Sequence, residues 1–141
     1  MFDARATRIP APALFALLLA GLVACAGCAG GGPRPETIYQ ASPDAAGVQR
    51  VRVNLHSFYF EPSRIVVHAA HPVELTLHDS SLFVPHNFTI ADSSLSISKG
   101  VGPKRTHVVR FTPEQTGEFE FFCHVDHHAK KGMRGTLVVV P

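Results

Sequence analysis

From Arg50 onward the chain is written in short runs that alternate apolar with polar residues or gather β-branched ones, each closed by turn residues. Arg50-Val51-Arg52-Val53-Asn54-Leu55 alternates cleanly, Ser63 to Val67 follows a proline, and Val73 to Leu77 alternates again. Asn87 to Ile90, Thr106 to Phe111, Gly117 to Phe122 and Thr136 to Val140 continue the series. A period of two sends successive side chains to opposite faces, so each run buries one face and needs a second layer against it. Seven or eight strands in about ninety residues predict an all-β Greek-key sandwich or barrel. No long helix is expected. Between Leu82 and Lys104 the pattern is less regular, and Ser93 to Ser98 fits a loop, a short strand or one helical turn.

The residues before this series read differently. Arg5 and Arg8 precede an apolar run from Ile9 to Ala24 that is too short to span a bilayer comfortably, which is the layout of an export signal. Leu22-Val23-Ala24-Cys25 resembles the lipobox of bacterial lipoproteins. That resemblance implies cleavage before Cys25, acylation of its thiol and a protein anchored to the membrane rather than spanning it. The other reading is a plain secretory signal cleaved nearby, with Cys25 and Cys28 incidental. Ala26 to Val48 is rich in Gly, Pro, Ala and Ser without apolar periodicity, the composition of a flexible tether. The expected organisation is a signal at 1–24, a tether at 25–48 and one folded domain at 49–141, in the periplasm or cell envelope and lipid-anchored to a bacterial membrane.

A net charge of +2 gives no reason to expect a nucleic acid or an acidic polymer as partner. Two of the three cysteines fall in the export region, so Cys123 stands alone in the domain and no internal disulfide can form there. A lone thiol kept in an oxidising compartment suits metal ligation or a buried, inert cysteine. Nine histidines weight the choice toward metal.

The densest chemistry lies in Cys123-His124-Val125-Asp126-His127-His128, followed by Gly132-Met133-Arg134-Gly135-Thr136. Thiolate, imidazole and thioether recur as Cys-x4-His-x4-Met. Copper cycling between Cu(I) and Cu(II) uses this mixture, because soft sulfur suits the reduced ion, imidazole suits both, and a weak axial thioether tunes the potential. Zinc rarely recruits a thioether, so Met133 argues against it. Spacing alone leaves His127 and His128 both open as the imidazole of this loop. A further ligand must come from elsewhere, and Pro85-His86-Asn87-Phe88 offers one that a Greek key can bring to the same pole.

The run from Phe60-Glu61-Pro62-Ser63-Arg64-Ile65-Val66-Val67 through His86-Asn87-Phe88 to Phe122-Cys123 and Gly132-Met133-x-Gly135-Thr136-Leu137 closely resembles the cupredoxin family, over nearly all of residues 49–141. The resemblance implies one type 1 copper with His86, Cys123 and His128 as strong ligands and Met133 as the long axial one. It selects His128 over His127, because the family pattern, with a glycine directly before the methionine, is matched as Cys-x4-His-x4-Met only in that register. It makes Asn87 a brace of the ligand loop. It also implies a monomeric carrier of single electrons between redox partners, not an enzyme. The expected port is the exposed edge of His128, framed by Lys130, Lys131 and Arg134, which would steer an acidic redox protein.

Two alternatives bear on the surplus histidines. Phe122-Cys123-His124-x3-His128-x4-Met133 also resembles the ligand run of multicopper oxidases, but the chain has Phe122 before the cysteine, no His-x-His pair and too little length for repeated domains. A copper-tolerance or copper-handling protein is the stronger alternative, with His124, Asp126 and His127 forming a second, weaker copper site. His56, His68, His71, His78 and His107 are expected at the surface.

Overall fold

A computed structural model of the chain describes residues 34–141. The export signal, the lipobox and the first part of the tether lie outside the described residues. Among the described residues ten strands form two sheets: β1 (Ile38–Gln40), β2 (Gln49–His56), β3 (Tyr59–Glu61), β4 (Arg64–His68), β5 (Val73–Asp79), β6 (His86–Ile90), β7 (Ile97–Val101), β8 (Thr106–Phe111), β9 (Gly117–Phe122) and β10 (Arg134–Val140). The larger sheet runs β1-β4-β10-β9-β6-β7 and the smaller β3-β2-β5-β8. Non-consecutive neighbours such as β2 beside β5 mark crossings between the sheets, the expected all-β sandwich with more strands than the seven or eight anticipated. Among the described residues no helix is long and apolar enough to cross a membrane.

The alternation read in the sequence is the alternation that packs. Val51, Val53 and Leu55 of β2 and Val73, Leu75 and Leu77 of β5 are buried, facing Ile65, Val67, Leu137 and Val139 from the other sheet. Between the layers, Phe60, Phe88 and Phe121 form a closed aromatic group, with centroids 4.7 to 5.8 Å apart, two pairs edge-on and one stacked. Such contacts add to the burial of three large side chains and lock β3, β6 and β9 to one another. Gly135 is the point where this packing leaves no room: a Cβ there would overlap the Phe121 ring and lie 2.5 Å from the Ser63 carbonyl oxygen.

Three strands were not foreseen, and all are short edge strands. β1 lies in the stretch read as tether; its three side chains are exposed, and it is held by parallel backbone pairing to β4, with Ala41 buried just beyond it. No apolar pattern announces a strand that buries nothing. β7 resolves the unassigned stretch: Asp92 Oδ1 accepts from the Ser94 amide and hydroxyl in a tight turn, then Ile97 to Val101 pairs with β6. β3 forms a hairpin with β2 through Ser57 and Phe58, in which Phe58 takes φ 71°. The ends of β2, β5 and β9 and the starts of β6 and β10 share one pole of the sandwich, as the parallel β2–β5 pairing and the antiparallel β6–β9 and β9–β10 pairings require.

Candidate metal centre

The period of two along β9 continues past its end. Phe119, Phe121 and Cys123 face inward and are buried, so His124 is turned outward. The chain then folds into a 3-10 helix, Val125–Lys131, interrupted by Asp126 (φ 39°) and His127 (φ 59°) in the left-handed region. Two consecutive left-handed residues reverse the chain sharply, leaving Asp126 and His127 exposed and returning His128 to the interior. Gly132, at φ 101°, closes the turn, a conformation that costs glycine little. The Met133 amide donates to the His128 carbonyl at 3.0 Å and the Cys123 amide to the Met133 carbonyl at 3.1 Å. All four residues expected as ligands are buried, and three of them are joined by this loop.

His86 enters from the first position of β6, opposite Val101 on β7. Its Nδ1 lies 3.2 Å from His128 Nδ1 and 4.0 Å from Cys123 Sγ, while Cys123 Sγ lies 3.5 Å from His128 Nδ1. Among the described residues these three are the group of His, Cys, Asp and Glu side chains whose ligand atoms converge for a metal. His124, Asp126 and His127 do not converge; with Glu120 and Arg134 they line a shallow groove outside the pole. The remaining histidines are at least partly exposed, and none belongs to the converging group.

Asn87 braces the loop as expected: its Oδ1 accepts the His124 amide at 2.9 Å, and its own backbone amide donates to Cys123 Sγ at 3.4 Å. Burial is the main influence holding His86 below the usual imidazole range; Asp79 opposes it, and His128 and His56 add to it. His128 is also held low by burial, Lys131 adding and Asp126 opposing. Burial pushes the Cys123 thiol up, opposed by the amides of Asn87 and Val125, while Asp79 adds to the rise. The site without metal thus favours neutral imidazoles and a protonated thiol, and a metal that binds there displaces the thiol proton. Two imidazole nitrogens and one thiol at mutual distances of 3.2 to 4.0 Å, with a buried methionine in the same loop, form a donor set suited to copper.

One expectation is corrected. His128 does not offer an exposed edge: it is 2% exposed, with the Phe58 ring edge-on to it at 5.1 Å and Lys131 Nζ 4.5 Å from that ring. The hairpin joining β2 to β3 reaches the pole and closes over the imidazole. Of the rim cations, Arg134 is engaged by the Glu120 carboxylate and the Ala129 carbonyl. Two further features of the pole were not read from the sequence. Leu82, Phe83 and Val84, just before His86, are exposed, Phe83 at 86%. Asp79 is fully buried at the last inward position of β5. The signal for Asp79 was present, since the inward series Val73, Leu75, Leu77 ends on a carboxylate.

The Cupredoxin-like domain family matches residues 16–139. The structure is similar to the metal-binding domain of the Cu(I)-exporting P-type ATPase CopA of Streptococcus pneumoniae D39, solved with Cu(I), at 25% identity and TM-score 0.63, covering 77% of this chain and 100% of that one. It is also similar to a copper-binding protein solved in its apo form, at 25% identity and TM-score 0.56, covering 72% and 96%. Auracyanin from Roseiflexus castenholzii shares the fold at 18% identity and TM-score 0.60, covering 65% and 97%. No curated protein matches the sequence. With an all-β sandwich, a His-Cys-His group at one pole and a family match across most of its length, the chain belongs to the cupredoxin-like family.

Proposed function

We propose that the chain is a type 1 copper protein that carries single electrons between redox partners in the cell envelope. His86, Cys123 and His128 would supply the strong ligands and Met133 the weak axial one. The observation that carries this reading is the convergence of the three donor atoms in a buried, backbone-locked pole. A site whose ligands are already gathered rearranges little between Cu(I) and Cu(II), which is what fast one-electron transfer needs. Copper supplies the electron chemistry; the chain holds its ligands, excludes water and catalyses no reaction of its own. Phe58, Leu82, Phe83 and Val84 give the pole an apolar surface, and Lys130 and Lys131 at its rim suit an acidic redox partner. Acylation at Cys25 would hold the monomer to a bacterial membrane, with a tether that ends where β1 begins.

The test is the absorption spectrum of the protein after Cu(II) addition. An intense thiolate-to-copper band at the red end of the visible is expected, and its absence from Cys123→Ser. A colourless wild-type protein that retains zinc overturns the reading.

A second reading, copper tolerance or handling, is favoured by the likeness at 25% identity to the domain of a Cu(I) exporter. It assigns His124 and His127 to a weak second copper site. Cells carrying His124→Ala with His127→Ala should then grow less well in copper; unchanged tolerance removes this reading and leaves the shuttle.

A further inference from the structure

Among the described residues, the buried side-chain nitrogens and oxygens without a hydrogen-bond partner belong to residues at the pole of the metal centre: Asp79 Oδ2, His86 Nε2 and His56 Nε2, the last of which lies 3.3 Å from the Glu61 carboxylate. His56 ends β2, Asp79 ends β5 and His86 begins β6. Buried polar groups are nearly always satisfied, so the two with neither a hydrogen bond nor an ion-pair partner, Asp79 Oδ2 and His86 Nε2, require an explanation.

Asp79 is bonded on one side only. Its Oδ1 accepts from the Ser81 amide at 2.9 Å and the Ser81 hydroxyl at 2.6 Å, which shapes the loop leading into His86. Next to it, the Ser80 hydroxyl lies between the Leu55 carbonyl and His56 Nδ1, at 2.9 and 2.8 Å. Its other oxygen, Oδ2, is buried and accepts nothing. On His86, Nδ1 faces Cys123 and His128, so a neutral ring that offers this lone pair to a metal carries its proton on Nε2. An acceptor and a donor are therefore unmet at the same pole, one at the end of β5 and the other at the start of β6, the two strands joined by a single loop. Neither has a direct partner, and a buried water is the usual bridge between such groups.

We propose that Asp79 is a positioning residue of the metal centre: its Oδ2 accepts the Nε2–H of His86 through one bridging water and holds the ring with Nδ1 turned toward Cys123 and His128. This rests on His86 serving as a copper ligand. Metal-binding histidines commonly give their second ring N–H to a carboxylate, which fixes the tautomer and raises the basicity of the ligating nitrogen. A buried negative charge behind His86 favours Cu(II) over Cu(I).

The test is nitrogen-resolved NMR of the histidine rings in the metal-free full chain, with the reduction potential of the copper-loaded protein as second readout. Wild type should show His86 as the Nε2–H tautomer. Asp79→Asn keeps an oxygen for Ser81 but removes the charge; it should mix in the Nδ1–H tautomer and lower the preference for Cu(II) about ten-fold, a rise of about 59 mV. Ser81→Ala, which takes the hydroxyl away from Asp79 Oδ1 and from the Val84 carbonyl but leaves Oδ2 and its charge in place, should change neither. An Nδ1–H His86 in wild type overturns the proposal, as does D79N with unchanged tautomer and potential. Should D79N not fold, the wild-type ring decides: a slowly exchanging Nε2–H supports the bridge, and a rapidly exchanging one overturns it. A protein that binds no copper yet shows the tautomer change refutes the copper reading while leaving the Asp79–His86 contact standing.

Discussion

Cys123 and His124 are adjacent in the chain, as are His127 and His128, yet the first pair and the second are each split between interior and solvent. Cys123 and His128 are buried with His86; His124 and His127 are exposed with Asp126. The first split follows from strand alternation carried one residue past β9, the second from two left-handed residues that turn the chain back. In the second split residue type is the same on both sides. What differs is how many donor atoms the backbone brings together and how much water it keeps out. A histidine-rich segment is thereby sorted into a gathered inner set and a dispersed outer one.

The sharpest way to break this contrast is to exchange the loss. His128→Ala removes one of three converging donors and should abolish the red absorption band of the copper-loaded protein. A band that persists, with His127 in its place, would show that the loop is not locked. The frame behind the inner set can be tested next. Gly135→Ala forces a methyl into the Phe121 ring and the Ser63 carbonyl, and should cost about 1–3 kcal/mol by urea unfolding. Gly100→Ala meets nothing within 4 Å and should stay within about 0.5 kcal/mol of wild type.

The inner set should also impose a pH signature on the metal-free protein. His86 and His128 are held below their ordinary value of 6.5, so the unfolded chain binds more protons as pH falls through that region. Their contribution to stability is present above about 6.5 and is lost as pH drops through the folded values. Cys123 has the opposite sign: its thiol is held above 9.0, and stability declines as pH rises past that value. Urea midpoints across pH should show a plateau between the two limbs, and His86→Phe should weaken the acid limb. The smallest effect belongs to the outer set. His124→Ala with His127→Ala should move the affinity of the primary copper site by about two-fold or less, measured by competition with a copper chelator. A large loss would place these residues inside the site.

The parts of the fold that bury a face were legible. β2, β5 and β9 carry their alternation openly, and Cys123, His128 and Met133 were marked by spacing, with His128 separated from His127 by family register. β1, β3 and β7 were not legible, because a three-residue edge strand held by backbone bonds, or one with apolar residues only at its ends, leaves no period to detect. The cover over His128 was also hidden. Phe58 lies 70 residues before His128, and its place above the ring depends on the parallel pairing that brings β2 and β5 to the same pole. Asp79 was passed over because an alternation that ends in a carboxylate reads as a strand reaching solvent, whereas here the strand end is capped by the loop that carries Ser81 and His86.

Phe58 has one more consequence, and it is kinetic. The ring that covers His128 sits at the tip of a two-residue hairpin, half exposed, on a backbone conformation that an aromatic residue rarely adopts. The sandwich below it is closed by buried strands, whereas this tip is an exposed turn, the kind of segment that opens locally at a lower free-energy cost than a buried core. An opening of this turn alone would uncover His128, so access to the pole is expected to depend on the turn and not on the unfolding of the domain.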